Sequence, residues 1–350
     1  MDSGAGTKDF SSRQENLLMA MVDEFISTAQ PVGSRQIAKH YQLGVKAATV
    51  RSLMTELEQD GYLSRPHASD GRVPTEKAFR CYVDRVLPHH QIGFRDRAQI
   101  ELHYSGHRTM SDLDEVMRQT SRLLALLTGQ AAMVMAPRVE ARALERVNFI
   151  RIRERQVMAI FVVSAGASQS RMVEPERDHS QDELDRMARY LNDSLRGRTL
   201  DQARAWITQQ LGEERARYDR FVREALWLGG AVATSPKAVE LYVDGGAHAS
   251  EQPEFSDHRK LRELFRALED KTALLDLLER SIGHSGPTVS IGTENYDARL
   301  ADFSVVAASY VNEKTPPGSV AVLGPLRMDY QRVISLVDYT ARALSRLLDD

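Results

Sequence analysis

An α+β fold is predicted for this 350-residue chain, with a winged helix-turn-helix at its N-terminal end. Three observations predict it. A short helix from Arg35 to Tyr41, opened by Ser34, and a second from Lys46 to Asp60 are joined by a turn at Gly44. Gly61 to Pro74 then carries two short apolar runs around a Ser-Asp-Gly tip, with Arg65 and Arg72 at its shoulders, which is the pattern of a tight hairpin. Beyond residue 130, runs of β-branched residues alternate with helical stretches.

The periodicity justifies each N-terminal element. Val50, Leu53, Met54 and Leu57 recur at the spacing of one buried helix face. Gly61 stands where a helix needs a left-handed residue to end. The opposite face holds Ala48, Arg51, Ser52 and Thr55, with Thr49 at its border. These are small or polar side chains able to approach base edges in a major groove. Upstream, Ser12 to Glu15 reads as a capping box. It opens a helix striped by Leu17, Leu18, Met21, Val22, Phe25 and Ile26, and Pro31 ends that region.

Arg51, Ser52 and Thr55 taken alone describe a solvated helix face. The turn, the spacing and the hairpin together make it a candidate DNA-reading face. The expected contact set is Ser34, Arg35, Lys46, Ala48, Thr49, Arg51, Ser52, Thr55, Arg65, His67, Ser69, Gly71 and Arg72. Gly71 is expected at positive φ in the hairpin tip. Arg72 is expected on the phosphate backbone beside Arg35, Lys46, Arg51 and Arg65.

Charge argues for a small footprint. The chain carries a net −3, whereas Pro31 to Arg80 holds eight basic and five acidic side chains, a net of +3. That segment favours a dimer that doubles it. A hydrophobic content of 42% can supply two or three cores. No apolar run approaches the roughly 20 residues that span a bilayer. Met1 to Phe10 lacks the apolar stretch of a signal peptide. The single cysteine, Cys81, fits a reducing compartment, so the expected location is cytoplasmic. Cys81 reads as a small apolar helix residue among Phe79, Tyr82 and Val83. His89, His90, His103 and His107 read as linker histidines rather than ligands, since no cysteine or ordered acid accompanies them. No G-x-S-x-G, HExxH or Walker pattern occurs, so neither enzyme activity nor a cofactor or metal is expected.

Glu76 to Leu87 continues as a helix, and Pro88 to Gly93 reads as a break closing a first domain at residues 1–90. Leu113 to Leu127 is a further helix. Ala131 to Ala136, Val147 to Arg153 and Val157 to Val163 read as strands of one sheet, which resumes at Thr288 to Ile291, Val305 to Val311 and Val320 to Leu323. Val333, Ile334, Val337, Ala341, Leu344 and Leu348 stripe a terminal helix. Between the halves lie helices over Gln181 to Leu195 and Leu200 to Leu228, a strand ending in a Gly turn at Gly245-Gly246, and one long helix from Asp257 to Ile282. A sheet split in this way suggests one domain inserted in another.

Two segments carry a family resemblance. Arg65 to Lys77 resembles the wing signature of the heat-inducible transcription repressor HrcA family. There a Pro-His-x-Ser-x-Gly-Arg-x-Pro-Thr run follows an Ala-Thr-x-Arg helix, here Ala48 to Arg51. Ile291 to Asn295 and Gly324 to Tyr330 are similar to that family's C-terminal signature. The resemblance implies a GAF-like domain over residues 91–180 and 250–350, with an inserted, mostly helical dimerisation domain at 181–249. It also implies a homodimeric repressor on double-stranded DNA, at an inverted-repeat operator of chaperone genes, kept active by the chaperonin GroEL. The chain departs from the family at Lys46-Ala47, where two serines are usual, and at Ser52-Leu53, where Asn and Glu are usual. Losing a Ser N-cap costs a helix about 1 kcal/mol, and Ser makes one contact where Asn pairs bidentately with adenine. A second reading is a ligand-responsive regulator with Glu294, Asn295 and Arg327 as effector contacts. The favoured reading of those three is structural, with Arg327 paired to an acid.

Overall fold

The computed structural model describes residues 10–41, 46–66, 71–105, 113–137, 143–163, 168–212, 220–233, 240–295, 297–311 and 317–349. Gly44, His67, Ser69, Asp70 and His107 fall outside the described residues.

Helix α1 spans Ser12–Thr28, and its capping box is formed by Ser11 and Gln14. This corrects the expected Ser12–Glu15 box by one residue, because Ser11 is the one with extended backbone (φ −63°, ψ 146°). Helix α2 covers Ser34–His40 with Gly33 at its N-cap, so Ser34 lies inside the helix instead of capping it. Helix α3 runs from Ala47 to Gln59 and buries Val50, Met54 and Leu57. Gly61 follows at φ +80°, a conformation only glycine adopts without strain. Strands β1 (Leu63–Ser64) and β2 (Val73–Pro74) form the antiparallel hairpin. These elements and α4 (Glu76–Val86) make up the N-terminal unit, called the head below.

Helices α5 (Phe94–Ser105) and α6 (Leu113–Thr128) lead into the body. Strand β3 (Ala131–Met135) enters a large sheet, and β4 (Leu144–Arg153), β5 (Gln156–Val163) and β6 (Ser168–Val173) follow. Helices α7 (Gln181–Leu195), α8 (Leu200–Gly212) and α9 (Arg220–Ala233) come next, then β7 (Leu241–Asp244) and a short α10 (Gly246–Ser250). Helices α11 (His258–Glu269) and α12 (Lys271–Ser281) precede β8 (Thr288–Ile291), β9 (Phe303–Tyr310), β10 (Gly318–Pro325) and α13 (Tyr330–Asp349).

The large sheet is antiparallel in the order β7-β3-β10-β9-β8. Alternate residues of its strands face opposite layers. Ala132, Val134, Val306, Ala308, Val320 and Val322 pack with α6 and α13 in a core that continues into the head, where it takes in Leu18, Met21, Phe79 and Val83. Ala131, Met133, Val305, Ala307 and Ala321 pack with Leu264, Leu274 and Leu278 of α11 and α12.

Three expectations are corrected here. Strands β4 and β5 do not belong to the large sheet. They pair with β6, which the sequence reading missed, in a separate sheet ordered β4-β5-β6. That sheet shares a core with α7, α8 and α9, in which Phe149, Phe161, Leu184, Leu191, Ile207 and Leu226 are buried. The inserted unit therefore begins near Leu144, not at residue 181, and strand β7 is already back in the large sheet beside β3. Alternation of apolar and polar residues marks a strand but does not say which sheet it joins. The third correction is the long helix at Asp257 to Ile282. It is two helices, because the Asp270 side chain accepts a bond from the Ala273 N–H (3.1 Å) and caps α12. Among the described residues no helix is long and apolar enough to cross a membrane.

Candidate nucleic-acid interface

Burial of Val50, Met54 and Leu57 turns the opposite face of α3 outward. Lys46, Ala48, Thr49, Arg51, Ser52 and Thr55 are all exposed, and Arg35, Lys39 and His40 of α2 are exposed as well. Ser34 is half-buried. Lys46 is the N-cap of α3 and contributes no side-chain capping bond. Among the described residues no side chain caps the first backbone N–H groups of that helix, which suits them to an external acceptor such as a phosphate oxygen. Among the described residues Arg35, Lys39, Lys46 and Arg51 meet no carboxylate, so their charges are available to a ligand.

The hairpin departs from its expected chemistry at two positions. Gly71 is not at positive φ. Its requirement is a close backbone approach, since a Cβ there would sit 2.4 Å from the Val32 carbonyl oxygen and 2.8 Å from the Pro31 carbonyl carbon. Val32 and Arg72 exchange two backbone hydrogen bonds at 2.9 Å, adding a third strip of chain to the hairpin. Arg72 also differs from expectation. It is 6% exposed, and its guanidinium donates to Glu58 Oε2 (2.8 Å) and to the Thr55 hydroxyl (2.9 Å). Arg72 ties the root of the hairpin to the last turns of α3 and presents no charge to solvent.

Glu58, which the sequence reading passed over, is the anchor of this joint. It also receives Arg65 at 3.5 Å, and Arg65 remains exposed. Thr55 is exposed as expected, while its hydroxyl is engaged by Arg72 and donates to the Arg51 carbonyl (3.0 Å). The spacing of Glu58, one turn after Thr55 on the same side of the helix, was the available signal. At the far end of α3, Lys77 donates to the Asp60 carbonyl (3.0 Å) and lies 4.1 Å from the centre of the Tyr62 ring. Lys77 thereby bonds a carbonyl at the helix C-terminus and complements the dipole there.

The candidate effector residues are consumed by structure. Asn295 is buried, and its amide donates to the carbonyls of Gly292, Leu300 and Phe303 (2.8–2.9 Å) while its carbonyl accepts from Ser290. Arg327 pairs with Glu254 and donates to the Ile26 carbonyl of α1. Glu294 receives Arg80 from the head at 3.1 Å.

An outward polar helix, a hairpin locked to it and two signature segments invite comparison with known proteins. A sequence model of the HrcA protein C terminal domain matches residues 114–334. The heat-inducible transcription repressor HrcA of Geobacter sulfurreducens is 37% identical over 97% of this chain and 99% of its own. This chain belongs to the HrcA family. The repressors of Syntrophobacter fumaroxidans (35% identical, 98% of each chain) and Sorangium cellulosum (36% identical, 97% of this chain and 98% of the relative) agree. The chain is accordingly a heat-inducible transcription repressor by family, and the family is not one of enzymes. A crystal structure of a hypothetical protein, 24% identical, superposes with a TM-score of 0.62 over 97% of both chains, which is a likeness of fold.

Proposed function

We propose that the head is a winged helix-turn-helix whose helix α3 enters a major groove of operator DNA while the β1–β2 hairpin lies along the neighbouring backbone. The observation that carries this reading is the exposed face Lys46, Ala48, Thr49, Arg51, Ser52 and Thr55, on which Lys46 and Arg51 meet no carboxylate among the described residues. Arg51 and Ser52 read bases, and Arg35, Lys46 and Arg65 meet phosphates. His67 and Ser69 remain candidates at the hairpin tip, outside the described residues. The large sheet with its two helical layers is the GAF-like domain, and the unit from Leu144 to Ala233 is the dimerisation insert.

An uncovered apolar face supports the dimer. The insert buries one face of its sheet under α7 and α9, and the other face carries Ile150, Met158 and Met172 in one cross-strand row. Ile150, Ile152 and Met172 there are 43–49% exposed, an apolar patch of the kind that marks an interface. A homodimer would set two heads on an inverted-repeat operator upstream of chaperone genes, in the cytoplasm, with the chaperonin GroEL restoring active repressor after stress. Selection of bound fragments from the organism's genome tests the operator. Heating the purified protein to shock temperature and assaying DNA binding with and without GroEL and ATP tests the control. Recovery of binding that requires the chaperonin is the expected result, and full binding without it would overturn that control.

A further inference from the structure

The two C-terminal signature segments converge on the head. The Glu76 carboxylate at the start of α4 accepts both the N–H (3.1 Å) and the hydroxyl (2.7 Å) of Thr293. One turn later, Arg80 donates to Glu294 (3.1 Å) and to the Val289 carbonyl (2.9 Å). Glu294 is itself held by the Ile291 N–H at 2.9 Å. Gly292 stands at φ +57°, where a Cβ would lie 2.3 Å from the Glu76 carboxyl carbon. On the other flank Arg327, anchored by Glu254, reaches the carbonyl of Ile26 at the end of α1. Between the two flanks Tyr330 packs against Phe79 with ring centres 6.0 Å apart, and its hydroxyl is fixed by Ser304 (2.6 Å) and Leu326 (2.7 Å).

These contacts have a directional consequence. A head tethered only by the chain near residue 90 would turn freely. Here it is gripped on α1 and on α4 by groups from two separate body segments, across a core that both units share. Two-point attachment removes rotation, so the body dictates where α3 points. None of the seam residues lies on the exposed face of α3.

We propose that Glu76, Arg80, Thr293, Glu294 and Arg327 are positioning residues that set the half-site spacing the repressor accepts. This rests on the reading of a dimer on an inverted repeat. In such a dimer the body fixes the distance and angle between two recognition helices, and half-sites must match them. Loosening the seam lets each head follow a displaced half-site, at the expense of effective concentration at the native spacing.

The test compares wild-type protein with Arg80→Ala, Thr293→Val and the rescue variant Arg80→Lys. Each is titrated on a single half-site, the native repeat, and repeats with two base pairs added or removed. Wild type is expected to lose about tenfold or more in affinity on the altered repeats. Arg80→Ala and Thr293→Val should lose less than about threefold on the same step, while matching wild type on the single half-site. Arg80→Lys, which keeps a cation beside Glu294, should keep the discrimination. Unchanged discrimination in both loosened variants, with normal dimer mass, would overturn the proposal. A wild type that binds one half-site as tightly as the repeat would sink the dimer reading itself, which is a different result.

Discussion

The outward face of the head and the Arg151 and Arg177 corner of the insert treat their basic side chains in opposite ways. In the insert Arg177 is spent on Glu224 (2.8 Å) and Glu183 (3.4 Å), and Arg151 on Asp178 (2.5 Å). On the outward face of the head, Arg35, Lys46 and Arg51 have no acid to meet among the described residues. Yet Arg72, a few residues from that face, behaves like an insert arginine. The comparison teaches that a basic residue beside a binding surface is not thereby a binding residue. Its internal partners decide whether its charge remains to be offered.

Charging the open face of the insert should have the largest effect. Ile150→Lys with Met172→Lys is expected to give a monomer by sedimentation, with operator affinity down by about 10²–10⁴ as the second half-site is lost. A dimer that survives both changes would move the interface elsewhere.

Arg51 and Arg72 sharpen the contrast directly. Arg51→Ala should cost about 1–3 kcal/mol on operator and much less on a scrambled duplex, because its charge faces outward. Arg72→Ala should cost about 1–3 kcal/mol of head stability by removing the charged hydrogen bonds that join the hairpin to Glu58 and Thr55. Its affinity loss should be the same on every duplex, with no change in salt dependence, whereas a lost phosphate contact lowers the salt slope by about one. A flattened slope for Arg72→Ala would restore the phosphate role.

The smallest effect expected is the insert's response to pH. Hydrogen bonds from Arg177 and then Arg220 hold Glu224 down to about 2, and Arg151 with the Arg155 N–H holds Asp178 down to about 2. Depressed carboxylates contribute stability above their ordinary values, and that contribution is lost as pH falls from about 4 toward 2. Burial, and then Arg177, lower the pKa of His179. The unfolded chain therefore takes up that proton first, and stability declines as pH drops through about 6.5. Calorimetry at pH 7, 5 and 3 should show a modest loss at the first step and a larger one at the second. His179→Asn should remove the first alone.

Much of the head was legible in the sequence. The four-residue apolar rhythm of α3, the glycine that ends it and the two strands after it are local signals, and local signals are what a sequence displays. Arg72 and Gly71 were recognised as important for reasons that turned out to be wrong, because their partners, Glu58 and Val32, lie 14 and 39 residues away. The insert was misplaced for a related reason. Strand β6, Ser168–Val173, is polar over its first half, so neither its existence nor its pairing with β5 is announced by hydropathy. Asn295 and Glu294 stand out in the sequence as polar residues at a strand end, and both do line a pocket there. Only the tertiary contacts reveal that one staples a loop and the other grips the head.

The distribution of cores has a calorimetric meaning. One continuous apolar cluster runs from α1 through α4 to α6, β3, β10 and α13, whereas the insert's cluster contains none of those residues. Melting of the head is consequently melting of half the body, a single cooperative event in which α3 cannot fray away while the large sheet stands. The insert, with a core of its own, can open apart from that event. If two copies pair through the insert as proposed, its opening would part them while the head and the large sheet still stand.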